Sequence, residues 1–178
     1  MPKMTADYAH FLLQNVFLGT LKNESRTTKK IIEAVPADQA GYQPDACAKS
    51  ANELLRHIAV ADIFFLEATL NGVFNPSAVT IPADAGTPAA VAAWYEHSYA
   101  RNLEALTKMS GEQLIKIVDF RGMFQQEAVL FLMFGLNHTI HHRGQLSTYL
   151  RPMGSKVPAI YGESYDSAQA KKAAQAQT

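Results

Sequence analysis

What the chain is short of narrows its function first. Its 178 residues include one cysteine, Cys47. No disulfide can form within the chain, so a reducing compartment, the cytoplasm, is the expected setting. Cys47 lies in the polar stretch Asp45 to Lys49 with no histidine beside it, and a thiol without such activation is read as incidental and not as a nucleophile. Charge of one sign is also lacking. Lys plus Arg and Asp plus Glu each number 16, which leaves no long-range attraction for nucleic acid or for an anionic membrane surface. No apolar run approaches the roughly 20 residues of a membrane span; the longest, Ala128 to Leu136, is short and leads into histidines. Residues Met1 to Asp7 hold no apolar stretch of the kind a secretory signal needs. Neither a nucleic acid nor a membrane is expected as a partner.

What is present reads as a soluble globular protein. Hydrophobic residues make up 48% and charged residues 18%, enough to build a core without staples at this length. One domain is expected over residues 1–166, followed by a polar Ala/Gln/Lys-rich tail over 167–178 that frays. Four segments carry helical spacing. The first runs from about Ala6 to Ala34, with Thr5 as cap and Pro36 as stop. The second, Ala51 to Asn71, opens on the capping box Ser50-Ala51-Asn52-Glu53 and closes at Gly72. The third starts at Thr87-Pro88 and runs to about Met109. The fourth runs from about Phe124 to Leu150 and is stopped by Pro152 and Gly154. Gly72 to Gly86, which includes Pro76 and Pro82, is a long connection of the kind that is often functional. Glu112 to Phe120 fits a short strand, a short helix or an extended crossover equally well.

The chemistry sits in the histidines. Of six, three cluster as His138, His141 and His142. Positions four apart on a helix share a face, so His138 and His142 can present two imidazoles to one point. The pair His138 and His141 is also allowed, but His141 lies about 100° around the helix from His142, so all three cannot converge. A third ligand has to come from elsewhere. His57 is the candidate, because it falls on the apolar stripe of the second helix with Leu54, Ile58, Phe64 and Phe65. A histidine there needs a partner for each nitrogen, and coordination supplies one. A mid-helix glycine, Gly144, costs roughly 1 kcal/mol against alanine and adds to the suspicion of a site.

The run His138-Thr139-Ile140-His141-His142-Arg143-Gly144-Gln145-Leu146 resembles the HxxxHRGQ signature of the DinB/YfiT-like metalloenzyme family. Ser50 to His57 is similar to that family's second-helix motif, which ends in a ligand histidine. Val35 to Gln39 resembles its first loop, and Gly154 to Gly162 its usual close. The likeness spans about Tyr8 to Tyr165, with the HRGQ box as its most specific part. It implies an all-α fold, a four-helix bundle with crossover connections. It also implies His57, His138 and His142 as ligands of a divalent metal ion, zinc or nickel, with His141 outside the ligand set. Relatives are frequently homodimers, and known activities include transfer of low-molecular-weight thiols and a thiol-dependent isomerisation. No organic cofactor is expected.

Three protein ligands leave a position open on a tetrahedral ion, the mark of a catalytic site. Attack on an electrophile by hydroxide or by a thiolate follows as the chemistry. The sequence offers no nucleophile of its own, so a small external thiol and an electrophilic small molecule are the expected substrates of a transferase; a hydrolase is the other form of this expectation. Residues placed around the ligands are Gln145, Asn137, Tyr149 and Arg143. Gln145 lies on the ligand stripe. Arg143 is expected at the helix surface or in an interface ion pair, with anion clamping as its other reading. Asp62, about 140° around the second helix from His57, is expected to face away as a solvated charge, as is Glu67. Two further readings stand beside the enzyme: a non-catalytic, stress-related metal-binding protein, and a dimerising helical module without metal.

Overall fold

The structure is a computed structural model that describes residues 3–75, 77 and 79–176. Pro76 of the long connection, Met1 and Pro2 of the expected domain, and Gln177 and Thr178 of the tail lie outside the described residues. Helix α1 (Ala6–Leu12) is capped by Thr5, whose side chain accepts from the Tyr8 amide. It passes through a π-helical turn, Leu13–Phe17, into α2 (Leu18–Glu33), so the first expected helix is continuous with one wide turn inside it. α3 (Ala51–Asn71) carries the reciprocal Ser50–Glu53 capping box and ends on Gly72 at φ 70°, where a side chain would be strained. α4 (Pro88–Leu106) starts behind the Thr87 cap with proline in its first turn.

The segment left open on sequence contains both candidates. A single helical turn, α5 (Gly111–Leu114), precedes strand β1 (Ile117–Asp119). Strand β2 (Gln125–Glu127) pairs with β1 antiparallel, Val118 opposite Gln126. This corrects the fourth expected helix. α6 is Leu130–Leu150, and the residues from Phe124 onward that were assigned to it turn back into the hairpin. The hairpin's turn is closed by the Asp119 carboxylate, which accepts from the Gly122 amide at 2.7 Å. α7 (Tyr165–Gln175) follows in the tail; it has its own capping box and buries none of its residues.

Contacts fix the topology. Asp62 meets Tyr95 and Glu67 meets Arg101, so α3 and α4 run in parallel. His57 lies beside His142, and Phe65 lies beside position 135, so α3 and α6 run antiparallel. Glu24 meets Arg143, and Ala34 accepts from Ser155, so α2 runs with α6. The bundle is therefore up-down-down-up, with α2 and α3 on one diagonal and α4 and α6 on the other. The two loops that join diagonal helices are the crossovers.

The main core runs the length of the bundle through residues such as Leu13, Ile31, Leu55, Ile58, Val91, Tyr95 and Leu146. A second apolar cluster of Phe65, Ala68, Phe74, Val118, Ala128 and Phe131 seals α3 and α6 against the hairpin. Between these clusters the two helices come close. A Cβ at Gly135 would stand 2.8 Å from the Phe65 Cβ, so glycine is what lets the backbones approach one turn before His138. Among the described residues no helix is long and apolar enough to cross a membrane.

Candidate metal centre

α3 and α6 bring the three nominated histidines together. Ring centroids are 5.0 Å apart for His57 and His138, 4.6 Å for His57 and His142, and 4.5 Å for His138 and His142. One ligand atom from each lies within 4.8 Å of the other two, and all three side chains are half-buried. The span across three donors on a tetrahedral ion is about 3.4 Å at the usual metal–nitrogen distance of ~2.1 Å. The donors would have to draw closer than this to share one ion.

The protonation states suit a cation. Burial, with the neighbouring His142, His57 and His141, pushes the His138 pKa down to about 4. Burial first, then His142 and Lys49, also lowers that of His57. Both rings are therefore neutral at pH 7 and carry a lone pair. His142 donates from Nδ1 to the Gln145 Oε1 at 2.7 Å, which leaves Nε2 as its lone-pair nitrogen. The His138 Nδ1 is buried with no hydrogen-bond partner. An orphaned buried nitrogen is costly, and coordination or a small ring rotation toward an ion relieves it. The cluster could hold a metal ion, and a donor set of imidazoles fits one.

The other nominated residues part company. Gln145 sits on His142. Asn137 is exposed. Tyr149 packs edge-on against Tyr42 of the first crossover at 5.6 Å, two turns beyond His142. His141 touches His142 but stays exposed on the far side. Cys47 is exposed in the first crossover.

Two expectations are corrected. Arg143 is not at the surface; it is 1% exposed. Its guanidinium meets the Glu24 carboxylate at 2.6 Å, donates to the Glu24 carbonyl and the Thr28 hydroxyl, and donates to the Tyr161 hydroxyl at 2.6 Å. Tyr161 in turn donates to Glu24 at 3.0 Å. Asp62 is not solvated; it is 3% exposed and accepts from the Tyr95 hydroxyl at 2.6 Å. Burial raises its pKa to about 6, partly offset by Tyr95, Thr139 and the Arg143 charge. A helix flanked by both α4 and α6 has two buried faces, so distance around the wheel from His57 did not place Asp62 in water. Glu67 is not a freely solvated charge either; its side chain is 18% exposed and pairs with Arg101 at 3.0 Å.

Bundle and site together define a helical protein in which two antiparallel helices present three convergent histidines. The sequence profile of the DinB family matches residues 5–176, and the chain belongs to that family. It is similar to the Bacillus subtilis (strain 168) protein YjoA, 26% identical over 149 residues that cover 83% of this chain and 95% of YjoA. YrdA of the same organism is also 26% identical over 149 residues, 82% of this chain and 86% of YrdA. Two crystal structures share the fold. The DinB-like protein YjoA superposes with a TM-score of 0.68 at 23% identity, covering 84% of this chain and all of that one. A DinB-like protein from Bacillus cereus ATCC 10987 does so with a TM-score of 0.67 at 25% identity, covering 82% and 95%.

Proposed function

We propose that the protein is a metal-dependent enzyme that binds one divalent ion, zinc or nickel, through His57, His138 and His142 and joins a small thiol to an electrophilic small molecule. The observation that carries this reading is the buried, unpartnered Nδ1 of His138 inside a cluster of three imidazoles. An ion bound there supplies Lewis acidity and draws the pKa of a bound water or thiol toward neutrality.

The chain's residues supply the rest. Gln145 fixes the orientation of the His142 ring. The depressed pKa values of His57 and His138 keep protons from competing for the ligand nitrogens down to mildly acidic pH. Phe65, 5.7 Å from His138, shields one side of the cluster from water. With no activated cysteine of its own, the chain needs the thiol to arrive as a substrate. A hydrolase would use the same residues with water in the thiol's place. The proposal also carries a homodimer, for which the exposed Tyr8, Phe11 and Val16 on the first helix offer an apolar face, and a cytoplasmic setting.

The test is elemental analysis of untagged protein. One equivalent of metal is expected in the wild type and in His141→Ala, and none in His57→Ala, His138→Ala or His142→Ala. Retention in His138→Ala to the same degree as in His141→Ala would refute the ligand set. Thiol consumption against a panel of electrophiles then separates an enzyme from a metal-binding protein without turnover.

A further inference from the structure

The chain is neutral overall, yet one stretch of α2 gathers charge of a single sign. Lys22, Arg26 and Lys29 follow one another at spacings of four and three residues, so their side chains leave the same face of the helix. Like charges one turn apart repel. Lys29 is relieved by Glu96 of α4 at 2.6 Å and by Glu33 at 3.7 Å. Lys22 and Arg26 are exposed and make no ion pair among the described residues.

These cations border a cavity of about 210 Å³ between α2 and α4. Lys22, Arg26 and Lys29 line it from α2, and Tyr95, Tyr99 and Leu103 line it from α4. Glu96 brings the one carboxylate among the lining residues, and Lys29 takes it. The Tyr95 hydroxyl donates to Asp62 of α3 at 2.6 Å, so what Tyr95 turns to the cavity is ring carbon. The Tyr99 ring packs on it at 5.4 Å, and Leu103 extends the wall by one helical turn. The groove between α2 and α4 lies across the bundle from the one between α3 and α6 that holds the histidines. This is a separate place, and what it binds does not depend on the ion.

Uncompensated cations beside an apolar wall suit an organic anion, with the charged head on the former and the body on the latter. The cavity falls below the roughly 300–1,000 Å³ of sites for drug-sized ligands, which limits the body to about one ring. A helix, about 10 Å across with its side chains, is too broad to enter between two packed helices. We propose that this cavity binds a small carboxylate with a single-ring apolar body, its head held by Lys22 and Arg26 and its ring set against Tyr95 and Leu103.

The test is titration of the full chain by saturation-transfer NMR at low salt with three probes: benzoate, benzyl alcohol (the same ring without charge) and acetate (the same head without a ring). Benzoate is expected to bind about tenfold more tightly than either. Lys22→Gln with Arg26→Gln, both at exposed positions where folding is not at stake, weakens it about tenfold. Ala100→Phe, at an exposed position lining the cavity, blocks it. His138→Ala binds benzoate as the wild type does. Benzoate no tighter than both controls overturns the proposal, as does benzoate binding that neither the charge variant nor Ala100→Phe alters. Loss of binding in His138→Ala overturns it by placing the carboxylate at the histidines. Conversion of a dimer to monomers on sedimentation as benzoate is added also overturns it, because the cavity would then hold a side chain of a second copy.

Discussion

Two neighbouring residues of one helix, His142 and Arg143, belong to polar clusters of opposite kinds. The cluster around Arg143 is closed. Both terminal guanidinium nitrogens are bonded, Glu24 and Tyr161 bond each other as well as the arginine, and α2, α6 and the segment after α6 are tied together. The cluster around His142 is open. Gln145 satisfies one nitrogen of His142, but the buried Nδ1 of His138 has no hydrogen-bond partner among the described residues, and three imidazoles face one another. A polar group whose bonds are complete within the protein stabilises the fold; one left incomplete is available to something else. The HRGQ box therefore splits its labour, with histidine and glutamine turned to the site and arginine to the frame.

The sharpest way to test this division is Arg143→Met. Removing one partner of a buried ion pair leaves Glu24 uncompensated, and a loss of about 3–5 kcal/mol is expected in urea unfolding of the metal-free protein. Arg143→Lys restores little of it, because a single ammonium cannot reach Glu24, Thr28 and Tyr161 together. A loss below about 1 kcal/mol would show that the network is dispensable and the comparison false. Gly135→Ala acts on the boundary between the clusters and the aromatic layer. Its new methyl group meets Phe65, so a cost of about 1–3 kcal/mol is expected from overpacking. Metal affinity, measured by chelator competition, should fall with it because α3 and α6 are pushed apart at the level of His138. Unchanged affinity would show that the histidines do not depend on that close approach.

The smallest expected effect concerns pH, and it sets buried Asp62 against the histidine cluster by sign. Buried Asp62 keeps its proton to about pH 6 in the folded state, against an ordinary value of 3.8. Its contribution to stability is complete below about pH 4 and is lost as pH rises through 6. His138 does the reverse. Its folded value is about 4 against an ordinary 6.5, so its contribution is present above 6.5 and is lost as pH falls toward 4. His57, also depressed, acts in the same direction as His138. In the metal-free wild type these slopes oppose each other between pH 4.5 and 6.5. Asp62→Asn removes the falling one, so the variant should gain more in urea midpoint over that interval than the wild type. Parallel profiles would mean that Asp62 does not hold its proton as described.

Much of the frame was readable from local signals. Thr5, the Ser50–Glu53 box, Thr87-Pro88 and Gly72 each mark a helix end by a bond or a dihedral angle that needs no distant partner. The i,i+4 pair His138 and His142 and the stripe position of His57 were readable for the same reason. What was hidden depended on contacts far apart in sequence. Arg143 bonds Glu24 across 119 positions and Tyr161 across 18, and nothing beside it in the chain announces burial. Asp62 was misplaced because a bundle helix packs against two neighbours and a wheel drawn from one residue sees one of them. The hairpin strands are three residues each, too short for alternation to compete with the helical pattern that continues into Phe131 and Leu132.

The crossover topology gives the histidine cluster a mechanical meaning. His57 and His138 are roughly eighty positions apart in the chain. An ion shared between them acts as a removable clasp on a long loop, and a permanent link across such a span lowers the entropy of the unfolded chain by an amount worth about 4 kcal/mol. An ion bound there would therefore raise the protein's equilibrium stability by disfavouring the open chain, over and above any chemistry it performs.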